Sequence, residues 1–288
     1  MTSQTTVAES FWENVVNEVG KIEIGRAKVN PIELRSTDFS DLFGVKLPGI
    51  GGHQLFAYYS VPHGDGPFPA ILIAPGYGSV VNVPPHDRRR DFAVLALCAR
   101  GQRLSDGKYA AAFPGLLTDQ ITDPAKYPFR GMTADCLVAF DFLLSRPEVA
   151  SARIGIASGP NAGDLAFLTA ALRKGARAVL VNSPLLFRDA ANCYGRASAY
   201  PMEELSDYLR GNPADEERML NTLSLFDPIS LAERVEATVR ISCTSAELDR
   251  VGPLIRAIKG NADVYEKSGR GYIDHASDEA WLASALAG

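Results

Sequence analysis

The sequence predicts an α/β protein: a doubly wound, mostly parallel sheet interrupted by a helical insertion. Three observations carry this. Apolar runs such as Pro69-Ala-Ile-Leu-Ile-Ala and Phe92-Ala-Val-Leu-Ala-Leu-Cys are continuous rather than alternating, as strands buried on both faces must be. Helical stretches separate those runs. Small-residue loops follow at the carboxyl ends of the strands, where sheets of this type bind their ligands.

In chain order, Phe11, Val15, Val16 and Val19 recur at helical spacing with Glu13, Asn14 and Asn17 opposite, which predicts a docking helix within 1–22. Ile32-Glu-Leu-Arg-Ser alternates and reads as a strand. Val45-Lys-Leu, a Pro-Gly-Ile-Gly-Gly turn and Gln54-Leu-Phe-Ala-Tyr-Tyr-Ser-Val read as an antiparallel edge. The strand at 69–74 ends in Pro75-Gly76-Tyr77-Gly78, and the strand at 92–98 runs into Arg100-Gly101-Gln102. A helix over about Tyr127 to Arg146 precedes a strand at Arg153–Ala157. A helix at Asp164–Leu172 and a strand at Ala176–Val181 follow. Residues 186–232 hold two polar amphipathic helices with no strand between them, an insertion within a single domain of 1–288. Thr238-Val-Arg-Ile-Ser-Cys is the next strand, with Asp249 in its loop. Asp263-Val-Tyr-Glu is the last strand, and a helix around Glu279–Leu286 closes the chain.

Composition narrows the partners. The 29 basic and 34 acidic residues leave a net charge of 29 − 34 = −5, which argues against nucleic acid. The run Arg88-Arg89-Arg90 reads as a solvated loop or helix start, with an anion site as the alternative. The first ten residues lack the apolar core of a secretory signal, and no apolar run is long enough to span a bilayer. Four scattered cysteines, Cys98, Cys136, Cys193 and Cys243, read as free thiols and imply a reducing, cytoplasmic setting. No metal-ligand spacing and no nucleotide-phosphate loop is visible, so no cofactor is expected and the partner is a small molecule. His53 and His63 flank turns and read as solvated, whereas His86, in the loop after Tyr77, could overhang the pocket.

Arg153-Ile-Gly-Ile-Ala-Ser-Gly-Pro-Asn-Ala-Gly163 has the layout of a nucleophile elbow: a strand, a tight turn of small residues, then a helix. Together with Arg100-Gly101-Gln102, the approach Glu148-Val-Ala-Ser-Ala-Arg-Ile-Gly and the insertion from Pro201-Met-Glu-Glu-Leu to Phe226-Asp-Pro, it makes the chain resemble the acetylxylan esterase and cephalosporin-C deacetylase group of α/β-hydrolases. The likeness runs from about Gln54 to Asp263.

That resemblance implies an α/β-hydrolase fold, homo-oligomeric assembly and a Ser-His-Asp site that removes acetyl groups. Carried over by position, the loop Gly76-Tyr77 and the backbone N–H of Asn161 would be the oxyanion donors, Asp249 the acid and His275 the base. The usual histidine before the tyrosine loop is Pro75 here, and the family's Gly-His-Glu is spelled Gly271-Tyr-Ile-Asp-His275. The nucleophile position holds Pro160, which has no hydroxyl and whose ring fixes φ near about −65°, against the strained turn that presents a serine. Ser158 or Ser183 could be offered as a substitute, but Ser158 lies two residues early and would face another way. Arg100 and Gln102 read as braces for loops.

Three functional readings follow. The first is an enzyme on a small carbonyl or ester compound without a serine nucleophile, with His275 as general base oriented by Asp249; lyase, cyclase, isomerase and water-mediated hydrolase chemistry all fit. The second is a non-catalytic binding or scaffold relative. The third is an inactive variant of an ordinary deacetylase.

Overall fold

The computed structural model describes residues 2–159, 162–182, 185–196, 199–269 and 272–287. Its elements in chain order are α1 (Thr2–Val19), β1 (Lys28–Pro31), β2 (Ser40–Pro48), β3 (Gln54–Pro62), β4 (Phe68–Ala74), α2 (His86–Asp91), β5 (Ala93–Cys98), α3 (Pro128–Leu144), β6 (Val149–Ser158), α4 (Gly163–Leu172), β7 (Ala176–Asn182), α5 (Ala190–Cys193), α6 (Glu203–Gly211), α7 (Glu216–Phe226), β8 (Thr238–Cys243), α8 (Leu248–Ala257), β9 (Ala262–Glu266) and α9 (His275–Leu286).

Among the described residues, nine strands form one sheet in the order β1-β2-β3-β5-β4-β6-β7-β8-β9. The pairs β1/β2, β2/β3 and β3/β5 are antiparallel. The remaining pairs, from β5/β4 through to β8/β9, are parallel. The continuous apolar runs have the expected consequence: successive residues of one strand enter different cores. On β4, Ala70, Leu72 and Ala74 join the large core under α1, α3, α4, α7 and α8. Ile71 between them joins Val94, Ala157, Ala178 and Leu180 beneath Leu282 and Leu286 of α9. Every residue of α4 is buried and the helix is mostly apolar on all sides, so it lies at the centre of the larger layer; its polar residues Asp164 and Thr169 are hydrogen-bonded there. No helix among the described residues is long and apolar enough to cross a membrane.

At the N-terminus, α1 docks through Trp12, whose indole N–H donates to the Leu225 carbonyl at 2.8 Å and whose ring meets Phe226 edge-on at 5.2 Å. Burying a side chain of that size contributes about 5 kcal/mol of transfer free energy, more than the valines named from periodicity alone. Between β7 and β8 the chain forms α5, α6, α7 and a 3-10 turn at Pro228–Arg234, with no strand among the described residues.

Several local expectations are corrected. Ile32–Ser36 is no strand: after Pro31 the chain makes a 3-10 turn at Glu33–Arg35, and Leu34 points outward at 98% exposure. The strand that pairs with β2 lies just before it. The arginine run is neither a solvated loop nor a helix start: it forms the last turn of α2, which begins at His86, and Arg89 is buried and donates to the Arg35 carbonyl. Arg88 pairs with Glu279, and Arg90 lies over the Phe39 ring. His86 starts α2 and meets Phe39 edge-on rather than overhanging the pocket beside Tyr77. His53 is half-buried.

Asp249 lies in the first turn of α8, not in a loop, because Thr244 and Glu247 form a capping box that starts helical geometry at once. The last helix begins at His275, four residues earlier than expected, because Asp274 caps it by accepting from the Ser277 N–H at 3.0 Å. Cys98, Cys136 and Cys243 are buried free thiols, and Cys193 is half-buried.

Candidate functional site

The carboxyl ends of β4, β5 and β6 open onto a cavity of about 350 Å³. Gly76, Tyr77 and Gly78 form one wall, residues 80–85 another, and Gly159 and His275 complete it. Most of the lining is aliphatic or proline, with few polar groups. This is the environment of a ligand with a small polar head on an apolar body. The cavity thus brings together four of the residues singled out from sequence: Gly76, Tyr77, His275 and the residue directly before Pro160. Pro160, Asn161 and Ser183 themselves lie outside the described residues.

Backbone meets backbone where the elbow strand approaches the tyrosine loop. The Gly159 N–H donates to the Ala74 carbonyl at 2.8 Å. A β-carbon on Gly159 would fall 2.4 Å from the Gly76 nitrogen, so no larger residue fits without displacing the loop. At the start of α4, a β-carbon on Gly163 would fall 2.7 Å from the Asn182 carbonyl oxygen, which fixes α4 against the end of β7. Ser158 is buried with its hydroxyl accepting from the Asn182 N–H at 2.8 Å, so it is turned toward β7.

The Arg100-Gly101-Gln102 motif is a brace. Gln102 is buried; its amide nitrogen donates to the Gly76 and Gly78 carbonyls at 3.1 and 2.8 Å, and its oxygen accepts from the Ala99 N–H at 2.9 Å. Gly101 has φ of +81°, and a β-carbon there would meet the Tyr109 ring at 2.6 Å. Arg100 forms a two-pronged pair with Asp135 of α3, at 2.9 and 2.6 Å, and its backbone N–H donates to the same carboxylate. Gly131 makes room for this on the helix, since a β-carbon there would lie 2.5 Å from the arginine stem.

Tyr77 is held by its side chain as well. Its hydroxyl donates to the Glu204 carboxylate, 2.9 Å from each oxygen, and accepts from the Leu117 N–H at 2.9 Å. Glu204, on α6, also accepts from the Gly115 N–H. Burial pushes both groups up: the Tyr77 phenol rises through burial and the facing carboxylate, and Glu204 rises through burial against the opposing pull of its donors. The ring packs against Phe113, Phe129 and Tyr200.

His275 is the first residue of α9 and is exposed at the cavity mouth. Asp249 is also exposed, does not line the cavity, and shares no hydrogen bond or ion pair with His275 among the described residues. The buried carboxylate on the histidine's own helix is Asp278, one turn on. Burial raises its pKa against a hydrogen bond from Asn182, and its Oδ1 has no partner.

Residues not found from sequence are Glu204, Asp135 and Asp164. Asp164, at the start of α4, accepts from the Leu186 and Phe187 N–H groups and so ties down the loop after β7. A carboxylate inside the apolar stretch of α3 was a visible signal for Asp135; the other two carried none. Among the described residues no cluster of three or more His, Cys, Asp or Glu side chains is arranged to hold a metal ion.

The family described as acetyl xylan esterase (AXE1) matches residues 4–258. The acetyl esterase Axe7A of Xylanibacter ruminicola is 24% identical over 246 residues, covering 81% of this chain. The chain spans about half, 55%, of that relative's length. Among solved structures, an acetyl xylan esterase from Paenibacillus sp. R4 superposes with a TM-score of 0.82 at 24% identity, covering 96% of this chain and 92% of its own. Acetyl xylan esterase 1 from Thermoanaerobacterium sp. JW/SL YS485 superposes at 0.80 with 20% identity, covering 97% and 94%. The sheet order, the tyrosine loop and a family match over most of the chain lead to one conclusion: this chain belongs to the acetyl xylan esterase family and has the α/β-hydrolase fold.

Proposed function

We propose that this protein is an enzyme acting on a small ester or carbonyl compound with an apolar body, by a route that uses no serine nucleophile. The observation that carries the reading is the shared cavity of Gly76, Tyr77, Gly159 and His275, beside a sequence position occupied by proline. For an ester, His275 would take a proton from a water as its oxygen attacks the carbonyl carbon. Backbone N–H groups of the tyrosine loop would stabilise the oxyanion. On collapse, the carbon–oxygen bond to the leaving alkoxide breaks, and the alkoxide recovers the proton from His275. The relatives are named as acetyl esterases, so acetyl esters head the test panel.

The test is turnover of a panel of acetyl, lactone and carbonyl compounds by the full-length protein, with His275→Ala beside it and a serine-directed fluorophosphonate as a label. The reading expects turnover, a loss of about 10²- to 10⁴-fold in His275→Ala, and no labelling. Labelling of the native protein, or turnover unchanged in His275→Ala, would overturn it.

One observation favours a second reading, a binding protein without chemistry. Asp249 is exposed and unbonded to His275, so the base has no orienting carboxylate from that position. Ligand binding without turnover across the panel would select it. Acetyl-ester hydrolysis restored by Pro160→Ser would instead select an inactivated deacetylase.

A further inference from the structure

The arginine of the bracing motif faces a second cavity, of about 310 Å³, at the amino end of α3. Five basic side chains line it: His53, Arg100, Lys108, Lys126 and Arg130. Asp119 is the one acid on its wall, and it already accepts the Tyr109 hydroxyl at 2.6 Å. Lys126 and Arg130 are paired outward with Asp123 and Glu18. The groups left to meet a ligand are therefore Arg100, Lys108 and His53.

Arg100 uses Nε and Nη2 on Asp135 and Ile50, while its Nη1 makes no hydrogen bond among the described residues and is not sealed from solvent. Lys108 spends one donation on the Gly51 carbonyl at 2.6 Å. His53 has an unpartnered Nδ1, and burial followed by the Arg100 charge holds its pKa below the usual value, a local reading of the positive field. The seventeen-residue helix α3 adds its positive end, with Pro128 at the start and no side chain capping it.

We propose that this cavity binds a small oxyanion, the carboxylate or phosphate group of a free small molecule, between Arg100 Nη1, the Lys108 ammonium and the first turn of α3. Asp135 offsets the Arg100 charge and holds its guanidinium in place, so the unused Arg100 Nη1, the Lys108 ammonium and the helix end converge on a space large enough for such a group. This site is separate from the cavity at His275 and does not rest on the proposed chemistry there.

The experiment follows the imidazole resonances of the full-length protein by NMR. The chain has four histidines, so His53→Gln identifies the relevant signal. Inorganic phosphate and malonate are titrated separately at constant ionic strength. Each is expected to shift the His53 signal saturably and raise its pKa while leaving His63 unmoved. Lys108→Gln, a change at an exposed side chain, should weaken the response about tenfold, the loss of one charged hydrogen bond. A response to phosphate alone or to malonate alone supports the site and names its group. A shift that never saturates, that His63 shares, or that Lys108→Gln leaves unchanged overturns the proposal.

Discussion

Tyr77→Phe isolates the contact that ties α6 to the tyrosine loop. The substitution keeps the ring and removes one oxygen. Two interactions go with it: donation to the Glu204 carboxylate and acceptance from the Leu117 N–H, each at 2.9 Å. Losing a hydrogen bond to a charged group costs about 1.5–3 kcal/mol, and orphaning a buried N–H about 1–3 kcal/mol. Glu204 keeps its Gly115 donor, so the lower half of that range applies and about 3 kcal/mol is expected. Unfolding entropy near about 2.1 cal/mol/K per residue gives roughly 0.6 kcal/mol per degree for a chain of this length, so Tm should fall by about 5 °C in calorimetry. The deficit should also depend on pH. The folded pKa of Glu204 lies above its unfolded value, so its contribution is fully present below the ordinary carboxylate range and is lost as pH rises through the folded pKa. Removing the tyrosine donor raises that pKa further, so the variant's deficit should be smaller at pH 4 than at pH 8. A Tm change under about 1 °C, or a deficit that does not shrink at low pH, would refute the reasoning.

Two other perturbations test the bracing. Gln102→Glu keeps the acceptor for Ala99 but sets a carboxylate against the Gly76 and Gly78 carbonyls; urea denaturation at pH 7 should show a loss of about 3 kcal/mol, larger than for Gln102→Met. Asp164 is fully buried, and burial pushes its pKa up to about 7 against the two backbone donors. Its folded pKa is raised, so its contribution is whole below about 3.8 and is lost as pH rises through about 7, a decline on the order of 4 kcal/mol; Asp164→Asn should remove that part of the slope between pH 4 and 8, measured by denaturant midpoints.

The sheet was legible because its strands are buried on both faces, and a run such as Phe68–Ala74 admits no other placement once helical stretches separate it from its neighbours. Ile32–Ser36 failed because two apolar residues with a polar one between them cannot distinguish a strand from a 3-10 turn. The helix starts at Thr244 and Asp274 were written in the sequence as a Thr-x-x-Glu box and an aspartate cap, and reading them would have placed Asp249 and His275 on helices. In the site, the motif residues could be named but not their partners: Arg100 meets Asp135 and Tyr77 meets Glu204 across 35 and 127 residues of chain. Such pairs follow from how the layers stack, and no local spacing encodes them.

The same contacts decide how much the intact tyrosine loop says about chemistry. Gln102, Gly159 and the Tyr77–Glu204 pair hold that loop from three sides, and all are buried. Each would cost stability if removed, so each has a reason to be present in a protein that catalyses nothing. The loop therefore cannot separate an enzyme from a binding protein. His275 can. It is exposed, carries no hydrogen bond among the described residues, and begins a helix whose cap is the neighbouring Asp274. Its side chain contributes little to the fold, so His275→Ala should leave Tm within about 1 °C of the native protein. If that stable variant also loses turnover, the loss belongs to the imidazole and not to a damaged scaffold.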